Sequence, residues 1–226
     1  MIQFMIGQKQ ISVYPCDEPD CPVIYLNTFE GEGEGEQVLR ILKGGGCPPF
    51  TLVIVSGLDW NHDMSPWEIP PVFKNAEPCT GGADEFLGLL CGKIIPETEK
   101  EISGNVLWRG IAGYSLAGLF ALYSLYQTDI FSRIASVSGS LWYPGITEYI
   151  SSHTMKIRPD HLYFSLGNKE AKTRNPYMRI VQENAEKIEK YYREKGIDTV
   201  FRLSPGNHYK DARERTALGI RWLLER

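Results

Sequence analysis

Ser115 sits in "RGIAGYSLAGLFALYSL" (109–125), between small residues and directly after an apolar run. An alcohol is a weak nucleophile at neutral pH and needs a base to take its proton. The chain has four histidines, and only one has the place such a base requires. His208 follows "TVFRLSPGN" just before the closing helical segment, so it falls at the carboxyl end of the last strand. His62 precedes the serine in a long loop, His153 sits in the polar "SSHTMK", and His161 opens a strand at its amino end. A third member would orient the imidazole and stabilise its charged form. Glu170, after "HLYFSLG", is the best placed carboxylate. Asp129, Asp160 and Asp198 fall at the wrong ends of their elements. A Ser–His pair without an acid stays open as the variant.

The window Gly113-Tyr114-Ser115-Leu116-Ala117 departs from G-x-S-x-G only at its last position. A sharp strand-to-helix turn needs small residues two before and two after the serine. Gly113 and Ala117 meet that need, and Gly118 follows. The competing reading is a serine that merely caps the helix, which is common at helix starts. Acyl transfer also needs amide donors for a developing oxyanion, each worth roughly 3–4 kcal/mol of transition-state stabilisation. The Leu116 amide is one. The loop after the third strand supplies the other. With "VIVSGLDW" as that strand and loop, the donor is Leu58, with Trp60 as the alternative. Trp60, Trp142 and Tyr143 are expected to shape a substrate pocket, whereas Trp67 reads as local packing. Asp59, His62 and Asp63 could be taken for metal ligands, but no further ligand set appears at matching spacing, so they read as loop hydrogen-bonding groups.

These residues need a scaffold. "MIQFMI", "QISVYP" and "VIYLNTF" read as early strands, expected to run antiparallel at one edge. "EGEGEGE" (30–36) reads as flexible, and "QVLRILK" as a short helix stopped by three glycines. "FTLVIVSG" is apolar without alternation, like a strand buried on both faces. From "NVLWRGIAGY" onward, strand and helix alternate four times, which predicts a parallel sheet covered by helices. The fold class is therefore α/β, with 1–226 as one domain. The 58–83 loop is too long and too rich in proline for a simple connector, and loops of that kind are usually functional.

Composition narrows the rest. A net charge of −4 argues against a nucleic-acid partner, which needs a basic face. No run of about 18 apolar residues marks a membrane span. The N-terminus lacks the basic and apolar regions of a signal peptide. Five cysteines, an odd number, then point to reduced thiols and the cytoplasm.

"GYSLAGLFALY" with "SVSGSLWY", and the loop "GLDWNHDMSPWEIPP…GGADEFLGLL…IIPETE", resemble the esterase group of α/β-hydrolases. That group includes enterochelin (siderophore trilactone) esterases, S-formylglutathione hydrolase and mycolyltransferases. The likeness runs from about residue 50 to 225. It implies Ser115 as nucleophile, His208 as base, a carboxylate near Glu170, and the Leu116 and Leu58 amides as oxyanion donors. It also implies a small-molecule ester substrate, a covalent acyl-enzyme, and no metal or organic cofactor. Siderophore lactones, small acyl esters, acylated sugars and thioesters all remain open, as does a silent scaffold that only binds.

Overall fold

A computed structural model describes residues 1–72 and 75–226. Phe73 and Lys74, inside the long loop, lie outside the described residues. The strands and helices in chain order are β1 (Ile2–Ile6), β2 (Lys9–Tyr14), β3 (Val23–Asn27), α1 (Glu32–Gly44), β4 (Thr51–Ser56) and α2 (Trp60–Asp63). A hairpin of β5 (Glu68–Ile69) and β6 (Cys79–Thr80) follows, then α3 (Ala83–Leu89) and α4 (Ile95–Glu99), joined through a wider helical turn at Leu90–Ile94. The second half holds β7 (Arg109–Tyr114), α5 (Leu116–Ser124), β8 (Arg133–Val137), α6 (Ile146–Ser152) and β9 (His161–Gly167). It closes with α7 (Val181–Glu194), β10 (Asp198–Ser204) and α8 (Ala212–Leu224).

Eight strands form one sheet in the order β1-β2-β4-β3-β7-β8-β9-β10. Only β2 runs against the others, pairing antiparallel with β1 and β4. Alternate residues of the buried strands face two separate cores. Val23 and Tyr25 of β3 join Val53 and Val55 of β4 under the α3, α5 and α7 layer. Ile24, Leu26, Leu52 and Ile54 turn the other way, against α1 and α8. Both faces are covered, so these strands read as continuous apolar runs. Burying each such side chain stabilises the fold by about 1.5–3 kcal/mol. Helix α5 is buried at all nine positions, as its sequence demands.

Three expectations are corrected. β3 is no edge strand: it runs parallel inside the sheet, between β4 and β7. Residues 32–36 of the acidic "EGEGEGE" open α1, and only Glu30 and Gly31 precede it, so the stretch is not a flexible lead-in. The Glu34 carboxylate reaches back to accept the Phe29 and Glu30 amides (2.9 and 3.0 Å), serving the helix start as a capping box does. Gly35 is required there, because a Cβ would come within 2.6 Å of the Ile54 side chain. Finally, Cys16 and Cys21 form a disulfide across the turn between β2 and β3, where Asp20 adopts a left-handed conformation. The free thiols are therefore Cys47, Cys79 and Cys91.

Candidate active site

Ser115 lies at the step from β7 to α5, with φ 59° and ψ −121°. A non-glycine residue at positive φ is strained and must be held by its surroundings. Here the Ser115 amide donates to the Val137 carbonyl (3.1 Å). The Ser115 carbonyl accepts from Gly118, Leu119 and, across the crevice, Ser140. Gly113 leaves room for the turn, since a Cβ there would meet the Ala117 carbonyl carbon at 2.4 Å. Gly118 and Gly139 pack backbone to backbone, with a Gly118 Cβ position only 3.0 Å from the Gly139 Cα. The "SGS" segment after β8 is thus the second half of the serine turn.

The Ser115 hydroxyl lies 3.1 Å from His208 Nε2. His208 Nδ1 lies 2.8 Å from Glu170 Oε2. The three side chains come from the carboxyl ends of β7, β9 and β10, where open α/β sheets bind ligands. Crosslinks between the last two loops fix the spacing. Asn168 donates its amide to the Ser204 carbonyl (2.8 Å), and Lys169 donates to Gly206 (3.0 Å).

Glu170 is nearly closed off from solvent, its side chain 5 % exposed. Burial alone would push its pKa up. The His208 hydrogen bond and charge, the Gly167 amide and the Ser138 hydroxyl outweigh that and hold it below the usual carboxylate range. His208 keeps about a third of its side chain exposed. Its carbonyl accepts from the Tyr114 hydroxyl (2.6 Å). Burial pushes the Tyr114 phenol up to about 12, so it remains a donor.

The other candidates fall elsewhere. His161 pairs with Asp198 (2.9 Å) at the opposite edge of the sheet, and His153 stacks on Tyr149. The Asp160 amide donates to the Ser132 carbonyl just before β9. His62 hydrogen-bonds Thr80 (2.7 Å), and Asp63 binds the Lys9 ammonium and the Asp59 amide. Among the described residues, no three His, Cys, Asp or Glu side chains converge on one point. Trp67 donates to the Pro144 carbonyl and packs among Tyr123, Tyr143 and Tyr149.

The pocket and donor expectations change at three residues. Tyr143 is 1 % exposed and donates its hydroxyl to the Trp67 carbonyl, so it braces the wall instead of lining a pocket. Trp142, at 9 % exposure, packs on Tyr143 and is nearly closed off from solvent. Trp60 is half-buried and meets Phe29 edge to face at 5.1 Å. Phe29, 67 % exposed beyond the end of β3, was not singled out from sequence; an aromatic straight after a buried strand was the available signal. Leu58 is also displaced: it follows β4, and β3 stands between β4 and β7. The loop after the third strand, which flanks the serine turn, is Thr28–Gly31.

The sheet order, the single reversed strand and the covering helices make this an α/β-hydrolase fold. A family model described as Putative esterase matches residues 5–210, and the chain belongs to that family of carboxylic ester hydrolases. The chain is 21% identical over 191 residues to the uncharacterized protein YbbA of Bacillus subtilis, covering 81% of this chain and 76% of that one. Among solved structures it resembles an IroE-like serine hydrolase from Shewanella oneidensis (TM-score 0.79, 19% identity, 96% of this chain and 76% of that chain). It also resembles the siderophore hydrolase EstA from Aspergillus nidulans (TM-score 0.76, 19% identity, 99% of this chain and 93% of that chain). No helix among the described residues is long and apolar enough to cross a membrane.

Proposed function

We propose that the chain hydrolyses a carboxylic ester through a covalent acyl-enzyme at Ser115. The observation that carries this reading is the unbroken line of contacts from Ser115 through His208 to Glu170. His208 Nε2 takes the hydroxyl proton as Ser115 Oγ attacks the ester carbonyl. Glu170 keeps the other ring nitrogen protonated and stabilises the imidazolium. The imidazolium then gives its proton to the departing alkoxide, which leaves as an alcohol. Water, deprotonated by His208, attacks the acyl-enzyme, and the acid and free Ser115 are released.

The Leu116 amide at the head of α5 serves as one oxyanion donor. The second falls to the loop after β3, whose Phe29 and Glu30 amides Glu34 must first release. Trp60 and Phe29 offer an aromatic rim for the substrate. Siderophore-type lactones and small acyl esters are the first substrates to try, because EstA is described as a siderophore hydrolase.

The test is Ser115→Ala. Hydrolysis of p-nitrophenyl acetate and labelling by a fluorophosphonate probe should both disappear, with far-UV circular dichroism unchanged. Turnover surviving in a folded variant would refute the assignment. A screen across acyl esters, feruloyl esters, thioesters and trilactones then selects the substrate class.

A further inference from the structure

Arg215 of α8 has no part in the steps above, yet its guanidinium is buried at 2 % exposure. An ion at that depth costs several kcal/mol in lost hydration, and an apolar side chain would fill the same space without that cost. Its contacts show what it holds. Nη1 donates to Glu170 Oε1 (2.9 Å), Ser138 Oγ (3.0 Å) and Tyr114 Oη (3.2 Å). Nη2 donates to the Asn207 carbonyl (2.7 Å), one residue before His208. Tyr114, the residue before Ser115, passes the contact on to the His208 carbonyl. The backbone makes room for it: a Cβ on Gly167 would stand 3.0 Å from both terminal nitrogens.

We infer that Arg215 is a positioning residue for hydrolysis: it holds Glu170 as a carboxylate with Oε2 turned to His208, and it anchors the loop that carries the base. The inference rests on the Ser–His–Glu reading. One guanidinium thereby touches the segments that bring all three side chains together. A planar fork with several donors suits this better than an ammonium.

The charged and titratable groups around it come from each packed element. They include His208 before α8, Tyr114 at the end of β7, Tyr163 of β9, Asp211 at the head of α8 and Lys210 against the Gly206 backbone, with the exposed Arg202 of β10 acting on Tyr163. Removing the Arg215 charge lets the buried Glu170 take up a proton more readily. A protonated Glu170 no longer orients the neutral imidazole toward Ser115, so the acid limb of activity moves upward.

The experiment compares wild type, Arg215→Gln and Arg215→Lys. It follows kcat, KM and the rate of fluorophosphonate labelling against pH, with circular dichroism and thermal melting alongside. Arg215→Gln should move the acid limb up by about one pH unit, the lower end of what a neighbouring opposite charge produces. Its kcat should fall between about 10- and 10³-fold, short of the ~10⁴-fold cost of losing the orienting carboxylate itself. KM should stay nearly constant. Arg215→Lys should keep the limb in place and lose part of kcat. A folded Arg215→Gln with an unmoved limb overturns the inference. Should Arg215→Gln fail to fold, Arg215→Lys decides: a wild-type rate, or a displaced limb, overturns it. Wild-type protein that does not label at Ser115 would instead refute the hydrolytic reading.

Discussion

Glu170→Gln separates a triad from a dyad, and the hydrogen bonds around the carboxylate say which way the amide will turn. Oε1 accepts from the Gly167 amide, the Ser138 hydroxyl and Arg215; among the described residues Oε2 accepts from His208 Nδ1 alone. Glutamine offers an acceptor on one side only. With its oxygen in the Oε1 place, three donors keep their partner and the NH₂ faces His208. Turned the other way, those three donors lose it, at about 1–3 kcal/mol each. The first orientation therefore wins by several kcal/mol. His208 must then accept at Nδ1 and carry its proton on Nε2, pointed at a hydroxyl whose proton it can no longer take. The same exchange in the serine protease triad lowers kcat about 10⁴-fold, or about 5 kcal/mol in activation free energy. We expect a loss of that size here, with KM little changed. Stability should also fall, by less than the about 3–5 kcal/mol for breaking a buried ion pair, because the amide oxygen still serves Arg215. Steady-state kinetics on p-nitrophenyl acetate and a thermal melt measure both. A folded Glu170→Gln enzyme within about tenfold of wild type would show that Ser115 and His208 suffice.

Gly113→Ala should cost at least about 3 kcal/mol, at the upper end of overpacking costs, since its Cβ would meet the α5 backbone at 2.4 Å. A urea midpoint equal to wild type would contradict that geometry. Glu170, with its pKa lowered on folding, contributes stability that is fully present above its unfolded value near 4.3 and is lost as pH falls through the folded value. Melting between pH 6 and 3 should therefore fall less steeply in Glu170→Gln than in wild type; equal slopes would remove Glu170 from the acid sensitivity. Thiol titration of denatured, unreduced protein should find Cys47, Cys79 and Cys91, with Cys16 and Cys21 appearing only after reduction. Five thiols without reductant would exclude the crosslink.

The legible parts of the chain were those where one residue type answers to one physical need. Apolar runs without alternation marked strands covered on both faces, and histidines could be sorted by the end of the strand they occupy. What escaped depended on partners distant in sequence. "VIYLN" and "VIVSG" are equally apolar, and nothing local says that the first lies beside β7 and the second one strand away. That ambiguity sent the second oxyanion donor to Leu58. The glycines of "EGEGEGE" looked like freedom, but Gly35 is there for contact with Ile54. Arg215 was invisible for the same reason: one of three arginines on the closing helix reads as a solvated charge until the fold brings Glu170 to it.

The alanine at the fifth position of "GYSLA" is explained by an asymmetry in the turn. A side chain on Gly113 would run into the backbone carbonyl of residue 117, which cannot yield without unwinding α5. The Ala117 methyl stands 2.5 Å from where that side chain would be, so the methyl is accommodated because Gly113 has none. The two small positions therefore do not have equal standing: glycine is obligatory before the serine, and one methyl is allowed after it. Gly118 takes over the demand for bareness, since its neighbour is the Gly139 backbone. The pattern the turn enforces in this chain is thus G-x-S-x-A-G read together with S-G-S, and the second segment holds Ser115 in place through the Ser140 amide.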